Sequence, residues 1–357
     1  MKITLDARMY NYSGIGRYIK FLLSFLPQYF EIELLGYEND LKDKDFKFIP
    51  LKSKIYSPLE QIELKEKIKK TDIFWTPHFN VPVFNIPAKY RISTIHDVCH
   101  LTEYSDLSFI KKEYARFLFK QAIIKSDLIF TVSDFTRKEL INKLNLKDKL
   151  ARKIKVVYEA FEMTTKSLSL SIPENYILYV GNIKKHKNIE GLINAFEIIT
   201  KKHPDISLVL VGKKDKFISG NINIEEILKE KGISSKVIFT GILKDEELVS
   251  IYKNARMLVL PSFYEGFGLP PLEAMANDCP VILSEIEVFK EIYKDSAIYC
   301  NPENPVDIAE KISFLLENKD IIENLKQKGK EKVKEFSIEN IKQNYIKYLK
   351  SLEETAL

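Results

Sequence analysis

Short apolar runs alternate with amphipathic segments along the first half of the chain. Each run is followed by polar or turn residues, which is the pattern of buried parallel strands. Strands are predicted at 2–6, 32–37, 73–75, 91–95, 128–132 and 154–157, and a helix is predicted at 16–26. This alternation predicts a parallel sheet with helices on both faces.

The same pattern restarts after residue 175. Further strands are predicted at 176–180, 208–211, 237–240, 257–260 and 281–283, and helices at 188–202, 224–231, 245–254 and 271–276. From Pro305 the chain reads as helical, with one break near residues 335–337. The sequence itself does not repeat, so only the architecture recurs.

Residues 161–175 are polar, rich in serine and threonine, and contain a proline, as linkers commonly are. We therefore predict an α/β protein with two Rossmann-like domains, each a doubly wound parallel sheet, facing each other across a cleft. The predicted ranges are 1–165 for the first domain, 166–175 for the linker, 176–335 for the second domain and 336–357 for a C-terminal helix that packs back on the first. Ligands of such sheets bind at the carboxyl ends of the strands, so residues that follow strands are the candidates for a site.

The composition is that of a globular protein, with 45% hydrophobic and 29% charged residues. No apolar run reaches the ~18 residues of a transmembrane helix. Asp6 and Arg8 fall where a signal peptide would be apolar, so a cytoplasmic location is expected. The three cysteines lack metal-ligand spacing and are expected to be reduced, buried thiols.

The charge is unevenly distributed. Residues 1–170 carry 29 Lys+Arg against 21 Asp+Glu, a net charge of 29 − 21 = +8, whereas residues 171–357 carry 26 against 29, a net charge of −3. A basic first half suggests an anionic partner such as a lipid phosphate, a membrane surface or a nucleic acid, although a generally lysine-rich composition explains it as well. No nucleic-acid-binding motif is present, so no nucleic-acid partner is expected.

Residues 109–125 form a predicted basic amphipathic helix. The residues concerned are Lys112, Arg116 and Lys120, at i, i+4 spacing, and the apolar Phe109, Phe117, Leu118 and Ile124. Such a helix could rest peripherally on an anionic membrane. It could equally cover the sheet with one face in solvent.

Basic residues follow the strand at 176–180. Gly181 allows a ligand to approach the backbone closely, and Asn182 follows it. Lys184, Lys185, His186 and Lys187 then lead into a helix whose N-terminus attracts anions, which suits a diphosphate. We favour Lys187, next to the helix start, as the functional residue, and regard Lys184 and Lys185 as solvated. Gly241 and Leu243 follow the predicted strand at 237–240 and could bind a flat base through backbone contacts.

A glycine-rich acidic loop follows the strand at 257–260. Ser262 and Glu265 lie on it, and Gly266 and Gly268 allow backbone angles that leave amides pointing inward. A proline at position 270 or 271 can open the next helix, whose N-terminus would face phosphates.

Two glutamates in this region are candidates for hydroxyl binding. Glu265 on the loop could accept hydrogen bonds from sugar hydroxyls. Glu273, roughly one turn into the helix, could accept them from a ribose. The alternative for Glu273 is a local cap or pair.

Two groups in the first half also follow strands. Gly14, Ile15 and Gly16 lack the third glycine of the dinucleotide fingerprint, so they do not predict a nicotinamide site. His96 and Asp97 directly follow the strand at 91–95, and this position favours a functional role over a structural one.

The two glutamates and their surroundings resemble a known family. The context Pro-Ser-x-x-Glu-Gly-Phe-Gly-Leu-Pro-x-Leu-Glu-Ala-Met-Ala at 261–276 resembles glycosyltransferase family 4. The resemblance extends over nearly the whole chain through Gly-Ile-Gly-Arg-Tyr at 14–18, Thr-Ile-His-Asp at 94–97, Thr-Val-Ser-Asp-Phe-Thr at 131–136 and the segment 181–188. The opening Leu-Asp-Ala-Arg at 5–8 is similar to the subgroup of bacterial polymannose and O-antigen mannosyltransferases.

This resemblance implies a retaining transferase of the GT-B fold. It implies that Lys187 holds the donor diphosphate and that Glu273 binds ribose. It implies that Glu265 and His96 contact the transferred sugar. Backbone amides for sugar and phosphate are implied at Gly266, Phe267, Gly268 and Leu269, and the loop at 14–16 is expected to face the donor across the cleft.

Several positions depart from the family pattern. His186 and Asn182 stand where many members have arginine, which leaves more of the phosphate charge to Lys187. Glu159 and Ala160 stand where Asn-Gly is frequent, and Asp278 occupies a usual glycine site.

The sequence therefore predicts a hexosyltransferase, with GDP-mannose as the favoured donor and a lipid-linked or cell-surface polysaccharide as acceptor. A UDP, dTDP or ADP sugar as donor, or a sugar-nucleotide epimerase of the same fold, remains an alternative. Catalysis would rest on positioning and on positive charge at the departing diphosphate. No cofactor and no metal ion are expected.

Overall fold

In the computed structural model, which describes residues 1–161, 166–168, 170–212 and 224–354, the chain forms two compact units. The first unit comprises Met1–Thr102, Leu107–Ala160 and the last helix of the chain, and the second comprises Glu103–Asp106 and Phe161–Ser337. The chain passes from one unit to the other between residues 160 and 161, ahead of the segment at 166–175 expected to be the linker.

The first unit is built on a parallel sheet of seven strands. In chain order they are β1 (Lys2–Asp6), β2 (Glu31–Tyr37), β3 (Lys47–Leu51), β4 (Thr71–Thr76), β5 (Ala88–Ile95), β6 (Leu128–Thr131) and β7 (Ile154–Val156). Their order across the sheet is β3-β2-β1-β4-β5-β6-β7. The accompanying helices are α1 (Ser13–Phe25), α2 (Glu38–Leu41), α3 (Pro58–Lys67), α4 (Phe109–Lys125), α5 (Asp134–Leu144) and α6 (Asp148–Ala151).

The second unit repeats this plan with a six-stranded parallel sheet. Its strands are β8 (Tyr176–Val180), β9 (Ser207–Val211), β10 (Val237–Gly241), β11 (Met257–Leu260), β12 (Val281–Ser284) and β13 (Ile298–Cys300), in the order β10-β9-β8-β11-β12-β13. Its helices are α7 (Ile189–Lys202), α8 (Ile224–Glu230), α9 (Asp245–Asn254), α10 (Leu269–Ala276), α11 (Glu287–Tyr293), α12 (Pro305–Glu317) and α13 (Lys319–Glu335). Both sheets reverse strand order once, so the predicted pair of doubly wound domains is confirmed.

The last helix, α14 (Ile338–Glu354), belongs to the first unit. Its Tyr345 is fully buried, and its ring packs against those of Trp75, Phe130 and Phe25 at centroid distances of 5.9, 5.1 and 6.0 Å. The hydroxyl of Tyr18 donates to the Tyr345 hydroxyl over 3.1 Å. An aromatic cluster therefore fixes the C-terminal helix to the sheet of the first unit.

The strand reversal defines a switch point in each sheet. In the first sheet β1 lies between β2 and β4, and in the second β8 lies between β9 and β11. From β1 the chain continues to β2 on one side and from β4 to β5 on the other, and it diverges in the same way from β8 to β9 and from β11 to β12. Such a divergence forms the crevice in which doubly wound sheets bind ligands.

The element boundaries differ from the predicted ones in a few places. The edge strands β3 and β13 were not predicted, because β3 contains Pro50 and β13 is only three residues long. Proline is tolerated at a sheet edge, where its missing N–H is not needed. Helix α1 begins at Ser13 rather than Gly16. The C-terminal helical region also has a second break, at Asn318, between α12 and α13.

The three cysteines are free and buried, as predicted. Burial raises the pKa of the Cys300 thiol to about 12, so this thiol stays protonated at neutral pH. Across the described part of the chain, no helix is long and apolar enough to span a bilayer.

Candidate functional site

Two loops meet at the switch point of the second unit. The β8 loop, residues 181–188, follows β8, and the β11 loop, residues 261–268, follows its neighbour β11. The backbone N–H of Phe263 donates to the His186 carbonyl over 2.8 Å, which joins the two loops directly. The sequence singled out both loops, and the sheet order explains why they are adjacent.

Asn188 fixes this junction from the β8 side. It adopts a left-handed backbone conformation with φ of 53°, and its Oδ1 accepts from the N–H of Gly191 over 3.2 Å, which caps α7. Its Nδ2 donates to the carbonyls of Pro261 and Pro302 over 3.0 and 2.7 Å. Asn188 was not among the predicted site residues. The signal available was an asparagine directly before an amphipathic helix, a common capping position.

Lys187 and Glu265 form an ion pair where the loops meet. The Lys187 Nζ lies 2.6 Å from each carboxylate oxygen of Glu265, and Ser262 Oγ donates to Glu265 Oε1 over 2.8 Å. The side chains of Lys187 and Glu265 are 21% and 9% exposed. A cation and an acceptor for hydroxyl groups are therefore held together at a partly solvated crevice. The cation suits a diphosphate, and the carboxylate suits the hydroxyls of a sugar.

Glycines end three neighbouring strands of the second sheet. The N–H of Gly181 donates to the Val211 carbonyl, and that of Gly212 donates to the Gly241 carbonyl, both over 3.0 Å. A Cβ at Gly212 would lie 2.3 Å from the Gly181 carbonyl oxygen, so a side chain there is excluded. Gly241 has φ of 74° and open space around its Cα. Gly212 was missed, although a glycine directly after the apolar run at 208–211 was visible in the sequence.

The start of α10 supplies the free amides of the β11 loop. Gly268, with φ of 88°, is the N-cap, and a Cβ there would lie 2.7 Å from the Phe289 ring. The hydroxyl of Tyr293 donates to the Gly268 carbonyl. Pro270 and Pro271 have no N–H, so the donors at this helix end are those of Gly268 and Leu269, for which no acceptor occurs among the described residues.

Glu273 is buried in α10. Its Oε2 accepts from the hydroxyl of Tyr252 on α9 over 2.8 Å, and its backbone carbonyl accepts from Asn277 Nδ2 over 2.9 Å. The alternative of a local pair is therefore realised for one of its oxygens. A ribose would have to be recognised by this carboxylate together with, or in place of, Tyr252.

The remaining predicted donor residues line the same loops. Asn182 is partly exposed, and its carbonyl accepts from the Tyr179 hydroxyl over 3.4 Å. Leu243 is partly exposed after β10. Gly266 and Phe267 are buried, and the Phe267 ring packs edge-on against Phe336 at 5.6 Å. Lys184 and Lys185 are exposed, as expected for a solvated part of the loop.

The glycine pair of the first unit lies inside α1 rather than ahead of it. Because the helix begins at Ser13, Gly14, Ile15 and Gly16 form its first turn. A Cβ at Gly16 would lie 2.4 Å from the Tyr10 carbonyl oxygen, so this glycine is required by packing. Gly14 is exposed, with open space around it.

His96 and Asp97 follow β5 and are both engaged. His96 Nδ1 lies 2.6 Å from Glu159 Oε1, and its Nε2 lies 2.9 Å from the Pro77 carbonyl. Burial by itself would lower the pKa of His96, but the hydrogen bond and charge of Glu159 outweigh it, and the net shift is upward. Asp97 Oδ1 accepts from the Cys99 N–H over 2.8 Å, so it supports the turn after the strand.

The motif at 131–136 holds the backbone of His96 in place. Ser133 caps α5 by accepting from the Thr136 N–H over 3.0 Å. The Thr136 hydroxyl donates to the His96 carbonyl over 3.2 Å. Glu159 was noted only as a departure from the family pattern, and its contact with His96 could not be read from residues so distant in sequence.

The switch point of the first unit is filled by its own charged side chains. Arg8 is fully buried and makes a bidentate pair with Asp6, at 2.9 and 2.7 Å, and a 2.5 Å contact with Glu60. His78 accepts at Nδ1 from the Asn80 N–H, so its proton is on Nε2. Burial would raise the pKa of Asp6, but Arg8 and His78 outweigh it and hold this pKa below its usual range. In the second unit, the charged pair at the switch point, Lys187 and Glu265, is by contrast partly exposed.

Comparison with known proteins agrees with this arrangement. Residues 162–332 match the family model described as glycosyl transferases group 1. The O-antigen chain mannosyltransferase RfbU of Salmonella typhimurium strain LT2 is 32% identical over 71% of this chain and 68% of its own length. The O-antigen chain mannosyltransferase B of Escherichia coli is 29% identical over 73% of this chain and 71% of its own length.

The fold is shared with a solved structure. Sucrose-phosphate synthase from Thermosynechococcus elongatus superposes with a TM-score of 0.79 at 20% identity, over 99% of this chain and 100% of that one. The two doubly wound units are those of the GT-B fold. The chain belongs to the group 1 glycosyl transferases, and it is similar in sequence to relatives named as mannosyltransferases.

Proposed function

We propose that the protein transfers mannose from GDP-mannose, with retention of configuration, to a lipid-linked or cell-surface polysaccharide of the O-antigen kind. The observation that carries the proposal is the Lys187–Glu265 pair at the switch point of the second unit. The choice of mannose and of the O-antigen acceptor rests on the names of the relatives. A sugar nucleotide, whose nucleoside diphosphate departs when its hexose is transferred, fits a site of this charge.

In this proposal, Lys187 and Glu265 exchange partners when the donor binds. The ammonium turns from Glu265 to the donor diphosphate and stabilises the charge that develops on it during departure. The released carboxylate of Glu265 then accepts hydrogen bonds from hydroxyls of the transferred sugar. Ser262, which donates to Glu265, keeps the carboxylate in place during the exchange.

The helix start of α10 completes the diphosphate site. The N–H groups of Gly268 and Leu269 would donate to phosphate oxygens, with the dipole of α10 adding to the attraction. Glu273, four residues further along α10, would accept hydrogen bonds from the ribose hydroxyls. The glycines that end β8, β9 and β10 would leave room for the nucleoside at the carboxyl ends of these strands.

We further propose that transfer needs no metal ion and no cofactor. Lys187 and the two free amides would supply the positive charge that a divalent cation supplies in other transferases. In the described ranges, no group of three or more His, Cys, Asp or Glu side chains is arranged to hold a metal. Exhaustive treatment with EDTA should leave the rate unchanged, and restoration of a lost rate by Mn²⁺ would contradict this part of the proposal.

The donor is tested with a thermal-shift panel of GDP, UDP, dTDP and ADP. A ligand at 100 times its dissociation constant stabilises the protein by about 2.7 kcal/mol, which is readily measured. We expect GDP to give the largest shift in melting temperature. In a transfer assay, we expect mannose from GDP-mannose to appear in an α-linked product. A larger shift with another nucleotide would change the donor. Isomerised sugar nucleotide without transfer would indicate an epimerase instead.

We also propose that the enzyme works at the inner face of the cytoplasmic membrane and rests on it through α4. Phe109 and Ile110 are 79% and 81% exposed, and Phe117 and Ile124 continue the same face one and two heptads beyond Ile110. Leu118, expected on this face, is buried in the unit instead. Lysines on the same helix make the surface complementary to anionic headgroups.

Vesicle binding tests this surface. The protein should co-sediment with vesicles that contain anionic phosphatidylglycerol and not with phosphatidylcholine vesicles. Ile110→Ser combined with Phe117→Ser should abolish the binding, while Phe314→Ser, at an exposed phenylalanine of α12, serves as the matched control. Equal binding by all three proteins would rule out α4 as the contact.

A further inference from the structure

The His96 ring has no nitrogen lone pair to offer a ligand. Its Nε2 lies 2.9 Å from the Pro77 carbonyl, and because a carbonyl oxygen can only accept, Nε2 must carry a hydrogen. Its Nδ1 lies 2.6 Å from Glu159 Oε1, and one proton must lie between these two atoms. The proton can belong to the ring or to the carboxyl group. In both cases, both ring nitrogens are used within the first unit.

The surroundings hold the ring in this orientation. Tyr18 packs edge-on against the imidazole at a centroid distance of 4.8 Å, and the Thr136 hydroxyl fixes the His96 carbonyl. Tyr18 is itself held, because its hydroxyl bonds to those of Thr94 and Tyr345. A ring flip that freed either nitrogen would break the contact with Glu159 or the one with Pro77. The His96 ring is therefore fixed in this orientation.

One acceptor of the pair remains available. Glu159 Oε2 makes no hydrogen bond with any described residue, yet it is not among the buried atoms that lack a partner, so it is in contact with solvent. Glu159 as a whole is 7% exposed, which leaves this oxygen as the accessible part of the side chain. Glu159 follows β7 and His96 follows β5, so both residues lie at the carboxyl ends of strands of the first sheet.

We propose that Glu159 binds a sugar hydroxyl through Oε2 and positions His96 through Oε1, so that the two side chains act as one hydroxyl-binding group. The inference rests on the proposed transferase function and moves the direct polar contact from His96, where the family resemblance puts it, to Glu159. The hydroxyl belongs either to the transferred sugar or to the acceptor saccharide. A carboxylate is suited to both, since it accepts from hydroxyls more strongly than a neutral group does.

Kinetics of three variants test whether the two residues act as one. Glu159→Ala should lower kcat/KM about 10- to 100-fold, the effect of losing a hydrogen bond to a charged group. His96→Ala should cost a similar factor, and the double variant no more than the larger single loss, because both changes remove the same unit. Glu66→Gln, at an exposed glutamate of α3, is the control and should leave kcat/KM unchanged. Independent, multiplying losses would overturn the proposal, and so would an unchanged rate in Glu159→Ala.

Binding experiments distinguish the source of the hydroxyl. If it belongs to the donor, Glu159→Ala should weaken binding of GDP-mannose and leave binding of GDP unchanged in calorimetric titrations. If it belongs to the acceptor, the variant should raise the acceptor KM while both titrations stay as in the wild type. Unchanged titrations together with an unchanged acceptor KM would contradict the proposal. Retained GDP binding also shows that the variant has folded.

A spectroscopic readout tests the pair without any substrate. The chain has five histidines, and ¹⁵N-imidazole spectra with a His96→Asn reference identify the ring of interest. Glu159→Gln should shift the Nδ1 resonance of His96, because a side-chain amide then donates to a neutral ring. If the resonance does not change, the pair is not formed and the inference fails, even if transfer itself is confirmed. A wild type that binds no nucleotide but shows the shift would refute the proposed function and not the pair.

Discussion

The ammonium of Lys187 is bound symmetrically by the two oxygens of Glu265, at 2.6 Å from each, across a separation of 78 residues in sequence. The two side chains therefore neutralise each other before any donor arrives. A neutral pair costs less to hold at a partly buried position than either charge alone. A donor diphosphate bound as proposed would compete with Glu265 for the lysine, so its affinity would depend on the strength of this pair.

Replacing Lys187 tests the leaving-group role. Lys187→Ala should lower kcat by about 100-fold or more, because a positioned charge at the departing group contributes on this scale. Binding of the nucleoside diphosphate should weaken as well. Lys184→Ala, an exposed lysine of the same loop, should leave both quantities near the wild-type values. Equal losses in both variants would show that only the overall charge of the loop matters.

The two glutamates of the β11 loop and α10 should respond differently to neutralisation. Glu273→Gln should weaken binding of the nucleotide, whereas Glu265→Gln, which removes the charge that competes for Lys187, should retain or strengthen nucleotide binding and reduce transfer. The assay pairs calorimetric titration of the nucleotide with initial rates of transfer. If both variants lose nucleotide affinity equally, the division between ribose and sugar is wrong.

Tyr252 is predicted to support Glu273. Tyr252→Phe removes the 2.8 Å hydrogen bond to a buried carboxylate and should lower the free energy of unfolding by about 1–3 kcal/mol. Denaturant unfolding measures the change. Tyr29→Phe, at an exposed tyrosine, should change it by less than about 0.5 kcal/mol. No difference between the two variants would show that the Glu273 carboxylate does not depend on Tyr252.

The glycines of α1 should tolerate alanine unequally. Gly16→Ala places a Cβ 2.4 Å from a backbone carbonyl and should destabilise the protein by about 1–3 kcal/mol, the usual cost of overpacking. Gly14→Ala meets no atom and should be neutral or slightly stabilising, since alanine is the better helix former. Thermal unfolding of the two variants gives the comparison, and similar melting temperatures would be the contrary result.

The His96–Glu159 pair should make stability depend on pH. The pKa of His96 is raised above its ordinary value of 6.5, so the stabilisation is complete below that pH and is lost as the pH rises through the folded-state value. Glu159 and Asp97 are the charged groups that act on the ring in this direction. The difference in unfolding free energy between wild type and His96→Asn should therefore shrink from pH 6 towards alkaline pH. A difference independent of pH would refute the shift.

The sequence predicted the strands at the centre of both sheets, because these are apolar on both faces and stand out as continuous runs. Of the four edge strands, β7 and β10 were predicted, whereas β3, which contains Pro50, and the three-residue β13 were not. The loops of the candidate site were predicted from their position after central strands. Which residues would pair within them was not predictable.

The contacts that define the site join residues far apart in sequence. The bonds of Asn188 to Pro261 and Pro302, and that of His96 to Glu159, depend on strand order and on loop conformation. A periodicity describes one segment at a time, so it contains no information on such pairs. The family resemblance indicated the roles of Lys187 and Glu265 but not that they bind each other.

The buried Arg8 makes the two units unequal despite their common strand order. Without it, Asp6 and Glu60 would lie in the first switch crevice as two carboxylates with no cation between them. Two carboxylates without a counterion would repel a phosphate from that crevice. A single arginine thus breaks the symmetry of the doubled architecture, and the proposed nucleotide site lies in the second unit.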